Sequence, residues 1–113
     1  MPNNLTRPIW SCRIHQIQAI PNDFIFHPYR YVQQQGLTAP PAELYRCVFD
    51  GKLETDNLEE IHEIFNTDPP DDYPGRSLSI SDIVELYCDY ERRFYYCDVT
   101  GFVEVPFEPA DAE

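Results

Sequence analysis

The segment NTDPPDDYPGR, residues 66–76, cannot continue a helix or a strand on either side of it. It holds three prolines and one glycine within eleven residues. Proline has no backbone N–H to donate and fixes its own φ angle, so it interrupts the hydrogen-bond pattern of helices and strands alike. The segment therefore predicts an irregular loop, with the regular elements of the chain lying before and after it.

Alternation of apolar and polar residues predicts about five short strands. In the first, Trp10, Cys12 and Ile14 point to one face, which is typical of a half-buried strand. Asp50-Gly51 predicts a turn that ends the second strand, and residues 89–92 predict the connection of a C-terminal hairpin. The predicted strands cover residues 9–17, 44–50, the end of 80–88, 93–99 and 102–107.

Two short helices complete the predicted fold. The first covers residues 29–35 and would end at Gly36, a residue favoured just after helix C-termini. An apolar stripe at helical spacing predicts the second helix, residues 58–65, with Asp56 or Asn57 as its N-cap. The order of elements predicts an α+β fold, with a small, mostly antiparallel sheet of about five strands and two short helices.

The length of 113 residues is close to the most common domain size. We expect one domain, residues 1–113, in which residues 1–8 and 108–113 are loose arms. No run approaches the roughly 20 apolar residues that span a bilayer, so we expect no membrane association. The first residues, MPNNLTRPIW, lack the basic and apolar regions of a signal peptide, so we expect a cytoplasmic protein.

The chain contains four cysteines, each in a predicted strand. In a cytoplasmic protein we expect them to be reduced, buried thiols that pack as small apolar side chains. No C-x-x-C or H-x₃-H spacing occurs, so the sequence predicts neither a metal site nor a cofactor. The cysteines are Cys12, Cys47, Cys88 and Cys97.

Charge is unevenly distributed along the chain. The formal net charge is −12; residues 1–52 carry five Lys/Arg and three Asp/Glu, whereas residues 53–113 carry three and seventeen. Such an excess of negative charge repels nucleic acid and attracts basic surfaces. We therefore expect no direct nucleic-acid binding, and we expect the partner to be a protein with a basic surface. The sequence indicates no particular oligomeric state.

The candidate binding residues are eight acids between Lys52 and Arg76, with no Lys or Arg among them. Dense carboxylates can imitate the phosphates of duplex DNA, which carry one charge per about 1.7 Å of helix axis. The pattern also fits a surface that only keeps the protein soluble, and loop aspartates can bind a divalent cation, although the calcium-loop spacing is absent. The candidate partner-binding residues are Glu54, Asp56, Glu59, Glu60, Glu63, Asp68, Asp71 and Asp72.

Residues 75–79, GRSLS, resemble the G-x-S-x-G turn that carries a catalytic serine, but the last residue is serine. That turn joins a strand to a helix, whereas an irregular loop comes before this segment. A serine nucleophile also needs a positioned base, and nothing in the sequence directs His15, His27 or His62 to it. We therefore expect no catalytic residue here.

The same segment is better interpreted as an architectural turn. Gly75 would permit a backbone angle that other residues resist. Arg76 is surrounded by acids and should pair with Asp71, Asp72 or Asp82. Short polar side chains would hold the turn by hydrogen bonds to backbone N–H groups.

Five motifs follow one another along the chain: F-x-x-Y at 26–29, Y-x-x-V-[FY]-x-G-x-L at 45–53, L-E-x-I-[HY]-x-x-F-N at 58–66, D-x-P-x-D-[FY]-x-G-[RH]-S-L-S-[IV]-S-D-[IV]-V at 68–84 and Y-Y-[CV]-D-x-x-G-F at 95–102. In this order they resemble the YodL-like domain family, over roughly residues 10–106. The resemblance implies a small cytoplasmic domain of the kind common in Firmicutes, on conjugative elements and other mobile DNA, and it brings no agreed reaction.

Three functional hypotheses follow, and the first two describe a protein that is not an enzyme. The leading one is an inhibitor or modulator carried by mobile DNA, of the anti-CRISPR or anti-restriction type, whose acidic face mimics DNA. The alternative is an adaptor domain in a conjugation or cell-envelope assembly, binding through an aromatic and sheet-edge surface that includes Tyr31 and Phe94. The third is a small hydrolase or nuclease that uses the loop acids.

Overall fold

Within residues 10–18, 24–71, 73–89 and 91–109, which the computed structural model describes, five strands form one antiparallel sheet with two helices. The predicted α+β fold is therefore confirmed. The strands are β1 (Trp10–Ile17), β2 (Tyr45–Leu53), β3 (Ile83–Cys88), β4 (Glu91–Cys97) and β5 (Phe102–Val105), and the helices are α1 (Tyr29–Gln34) and α2 (Leu58–Thr67).

The strand order is β2-β1-β3-β4-β5, so β1 lies inside the sheet between β2 and β3. Residues of β1 alternate between two apolar cores. Cys12 and Ile14 pack with Ile61 and Phe65 of α2, whereas Ile17 packs in a second core with Val32 of α1. One helix therefore covers each face of the sheet.

This two-sided cover corrects the prediction that β1 is half-buried. His15 and Gln16 lie on opposite faces of the strand, and both are buried although both are polar. Alternation of polarity predicts a solvated face, but here each polar side chain has a buried hydrogen-bond partner instead. The Nε2 atom of His15 lies 2.8 Å from Glu85, and the amide of Gln16 donates to Asp82 at 3.0 Å.

Strand β2 differs from its prediction at both ends. Leu44 belongs to a single 3₁₀ turn, and the strand runs through Gly51 to Leu53, so the predicted turn at Asp50-Gly51 is wrong. Gly51 pairs with Cys12 of β1, and a Cβ atom at this position would lie 2.6 Å from the ring of Phe49. The glycine makes room for a core ring rather than turning the chain.

A β-bulge interrupts the pairing of β1 with β2. Ile14 is opposite Phe49 and His15 is opposite Cys47, so Val48 is the extra residue of β2. Because β2 is at the edge of the sheet, the bulge breaks the regular spacing of its outward backbone groups.

The helices follow their local sequence signals closely. Helix α1 ends one residue earlier than predicted, and Gly36 follows its C-cap with a φ of +78°. Asn57 is the N-cap of α2, where its side chain accepts a hydrogen bond from the N–H of Glu60 at 3.0 Å. Helix α2 continues to Thr67, two residues beyond its predicted end, so the irregular loop begins at residue 68 rather than at residue 66.

The C-terminal strands are confirmed with shifted bounds. Strand β4 begins at Glu91, so the hairpin connection is shorter than predicted, and Tyr90 within it lies outside the described residues. Strand β5 ends at Val105 rather than at residue 107, yet Phe107 still packs in the core beneath α1. The predicted arm 1–8 and most of the arm 108–113 also lie outside the described residues, and no described helix is long and apolar enough to cross a membrane.

Gly51→Ala should lower the free energy of unfolding by about 1–3 kcal/mol, because the new methyl group overlaps the Phe49 ring. Chemical denaturation measures the loss. When Phe49 is first replaced by leucine, the same Gly51→Ala change should lower the free energy of unfolding by clearly less, because the ring that the methyl group overlaps is gone. Equal costs in both backgrounds would show that the ring does not explain the glycine.

Candidate protein-binding surface

Helix α2 presents three glutamates to solvent on the side opposite the sheet. Its buried residues are Ile61 and Phe65, and Glu59, Glu60 and Glu63 are exposed. At about 100° per residue, the three glutamates fall within an arc of about 100° that faces away from the buried pair. The negative charges at the start of the helix also suit its dipole.

Four further exposed acids come directly before and after α2. Glu54 and Asp56 precede its N-cap, and Asp68 and Asp71 follow its last turn. Asp72, the remaining predicted binding residue, lies outside the described residues. The acidic surface is defined here as Glu54, Asp56, Glu59, Glu60, Glu63, Asp68 and Asp71.

The ion pairs of the described residues leave this surface without cations. Each of four arginines has an acidic partner elsewhere, and none contacts an acid of the acidic surface. Within the described part of the chain, the acidic surface is therefore uncompensated negative charge. The pairs are Arg13 with Asp50 and Glu85, Arg76 with Asp82, Arg92 with Glu85, and Arg93 with Glu91.

A buried carboxylate, Glu85 of β3, takes part in two of these pairs and also contacts His15. Its side chain is fully buried, and it accepts a hydrogen bond from Arg13 at 3.0 Å and lies 3.2 Å from Nε of Arg92. On its other oxygen, Nε2 of His15 lies at 2.8 Å. The Arg13 guanidinium also stacks over the ring of Tyr87 at 4.1 Å.

Sequence reasoning missed this network. The only signal was an acid in the middle of the apolar segment IVELYC, residues 83–88, opposite a strand that alternates Arg13 and His15. Strand register decides which cations meet Glu85: Arg13 is directly opposite it on β1, and Arg92 is on the neighbouring strand β4. That register was not available from the residue pattern alone.

Two side-chain amides hold the serine segment, residues 75–79, by hydrogen bonds to its backbone. The amide of Gln16 donates to the carbonyl of Arg76 and accepts from its N–H, both at 3.0 Å. The amide of Asn66 makes the same pair of bonds to Leu78, at 3.2 Å and 2.6 Å. The two amides thus bond alternate residues of the loop backbone, as a neighbouring strand would.

A glycine is needed at position 75, as predicted, but not because of its backbone angle. Its φ angle is not in the left-handed region, unlike those of Gly36 and Gly101. A Cβ atom at Gly75 would instead lie 2.7 Å from the Gln16 amide oxygen and 2.6 Å from the hydroxyl of Tyr73. Glycine is required because other groups approach its backbone closely.

No histidine is hydrogen-bonded to Ser77 or Ser79 in the described residues. His15 contacts Glu85, His27 stacks on Tyr31 and His62 contacts Asn66. The hydroxyl of Ser79 donates to the carbonyl of Ser77 at 3.0 Å. The described residues also contain no group of three or more His, Cys, Asp or Glu placed to hold a metal ion.

Asp82 anchors the end of the serine segment from a fully buried position. Its Oδ2 atom accepts from the N–H of Ser79 at 2.7 Å and from the amide of Gln16 at 3.0 Å. Burial raises the pKa of Asp82 to about 7, while these hydrogen bonds and Arg76 act in the opposite direction. The Arg76 guanidinium, the predicted ion-pair partner, is 3.7 Å away and lowers that pKa by less than burial raises it.

The four cysteines are not uniformly buried as predicted. Cys12 and Cys97 are buried, and burial raises the pKa of each thiol to about 12. Cys47 is half-buried and Cys88 is exposed at the end of β3. Strand position therefore did not predict burial: the last two residues of β3 are half-buried and exposed although the first four are buried.

A family model of the YodL-like domain matches residues 11–107, from the second residue of β1 to the core residue Phe107. The chain belongs to the YodL-like domain family. Searches of curated proteins and of solved structures gave no match for this YodL-like domain.

Asp82→Asn should remove a pH dependence from the stability of the YodL-like domain. Because the pKa of Asp82 rises from 3.8 to about 7 on folding, the native state holds a proton that the unfolded chain releases between those values. The free energy of unfolding should therefore fall as pH rises through this window and level off above it. In the asparagine variant, which keeps the acceptor for Ser79, that fall should shrink by up to about 4 kcal/mol.

Denaturation curves across this pH window give the free energy of unfolding of both proteins. The difference between the two values isolates Asp82, because the other titrating groups contribute equally to both. Parallel curves would show that Asp82 keeps its ordinary pKa in the folded protein.

Glu85→Gln should lower the free energy of unfolding by about 2–4 kcal/mol, because it leaves Arg13 and Arg92 without their buried carboxylate. The matched control is Asp50→Asn, which removes the half-exposed partner of the same Arg13 and should cost about 1 kcal/mol or less. Chemical denaturation measures both variants. Equal losses would show that the burial of Glu85 adds nothing to the network.

Proposed function

We propose that this YodL-like domain is a cytoplasmic binding protein whose acidic surface engages a basic surface on a protein that handles nucleic acid. It would act as an inhibitor or modulator of the anti-CRISPR or anti-restriction type, carried by mobile DNA. The observation that supports the proposal is the arrangement of charge: among the described residues, seven exposed carboxylates around α2 have no ion-pair partner, while four arginines pair with acids elsewhere.

The physical basis is competition with nucleic acid for a cationic channel. Such channels bind phosphates through Lys and Arg, and this binding depends little on base sequence. Carboxylates on a folded scaffold can occupy the same cations without the flexibility of a nucleic-acid chain, so less ordering entropy opposes binding. Glu59 and Glu63 are one helical turn apart and Glu60 lies between them, which places three charges on a rigid element.

The proposal includes no catalytic activity. The hydrogen bonds of Ser77 and Ser79 within the described residues connect the loop to itself, which supports a structural role for the segment. The adaptor alternative has less support. It needs Phe94 on a binding surface, and Phe94 is only 7% exposed and packs against His15 and Phe107.

Replacing Glu59, Glu60 and Glu63 together by glutamine should abolish capture of nucleic-acid-binding proteins from host lysate by the immobilised domain. For the unchanged domain, capture should weaken steeply between about 50 and 200 mM salt and should be displaced by added duplex DNA. Mass spectrometry identifies the captured proteins.

The matched control is the triple variant Glu43→Gln, Glu104→Gln and Glu108→Gln, which removes the same charge from exposed sites outside the acidic surface. It should retain the captured proteins. Equal loss in both triple variants would mean that only net charge matters, and capture that resists both salt and DNA would contradict the proposed function.

A further inference from the structure

An apolar cavity opens beside the N-terminal end of α2. Trp10, Leu58, Leu86 and Tyr95 line it, and its volume is about 290 Å³. All four side chains belong to the core beneath α2 or pack against it. The cavity is therefore a part of that core which remains open to solvent.

The size of the cavity limits what it can hold. Sites for whole small-molecule ligands usually have volumes of about 300–1,000 Å³, so this cavity is at or below the lower limit. It has room for one large side chain. Protein interfaces are commonly dominated by such a side chain, often an aromatic one, inserted into a pocket of its partner.

The rim of the cavity joins it to the acidic surface. Asp56 lines the rim and has no ion-pair partner among the described residues, whereas the other two charged rim residues, Glu91 and Arg93, pair with each other. Asp56 and Leu58 also line a neighbouring depression that reaches Glu59. The uncompensated charge beside the cavity is thus negative and continues along α2.

We propose that this cavity receives one large apolar side chain from an arginine- or lysine-rich segment of a partner protein. The inference rests on the proposed function and adds a specific anchor to its electrostatic attraction. Cations that flank the apolar residue would meet Asp56 and Glu59, while the residue itself would leave water by packing against Leu58, Leu86 and Tyr95.

Cys88 provides a reporter for this site without any mutation. Its exposed thiol lines the cavity, whereas the thiols of Cys12 and Cys97 are buried. Alkylation by N-ethylmaleimide followed by digestion and mass spectrometry distinguishes Cys88 from the half-buried Cys47. A side chain seated in the cavity should shield Cys88 from the reagent.

The test uses the full chain and two peptides of alternating arginine and glycine, one with a central tryptophan and one with alanine in its place. The tryptophan peptide should bind at least about tenfold more tightly in calorimetry and should slow the alkylation of Cys88, but not that of Cys47. Prior alkylation of Cys88 should remove the difference between the peptides, while Cys88→Ser should preserve it.

The other outcomes separate this inference from the proposed function. Equal binding of the two peptides without protection of Cys88 would overturn the anchor cavity and leave the acidic surface as a binding site. Failure of both peptides to bind at low salt would contradict both proposals. If Cys88 without peptide reacts as slowly as Cys12 and Cys97, the cavity is already filled by the chain itself or by a second copy, and the inference is wrong.

Discussion

The buried amide of Gln16 connects the proline-rich part of the chain to the interior of the sheet. It bonds both backbone groups of Arg76 and the carboxylate of Asp82, although it belongs to β1, some 60 residues earlier in the chain. An irregular loop has many backbone groups that regular structure does not satisfy, and burying them unpaired is costly. Gln16 and Asn66 supply those bonds, and the loop can therefore pack against the core beneath α2.

Two buried carboxylates fix the positions of several arginines. Asp82 and Glu85 hold three of the arginines, Arg76, Arg13 and Arg92, on buried carboxylates of the sheet region. Arginines held in this way cannot reach the acids around α2. Among the described residues, the acids around α2 are therefore left without a cation partner.

Local signals predicted elements well where the cause was local. The N-cap of α2, the end of α1 at Gly36 and the interruption by the prolines all depend on neighbouring residues, and each was predicted. The errors arose where tertiary packing decides. Gly51 and Gly75 are glycines because the folded chain places the Phe49 ring and the Gln16 amide against them, and β1 is buried on both faces because the two helices cover opposite sides.

The candidate site shows the same division. The acids around α2 were visible in the sequence as a group with no Lys or Arg among them, and the exposure of the helix glutamates follows from the apolar stripe of the helix. The lack of cation partners depends on strand register, as does the Glu85 network. The cavity beside Leu58 joins residues from β1, α2, β3 and β4, and no short-range pattern contains all of them.

The bulge at Val48 affects how this domain can meet other molecules. A regular edge strand of nine residues would offer its backbone to any extended chain, whatever the side chains of that chain. With Val48 displacing the pattern in the middle of β2, such backbone pairing is limited to short stretches. Along β2, recognition is thereby left to side chains, which can discriminate between partners where a bare strand edge cannot.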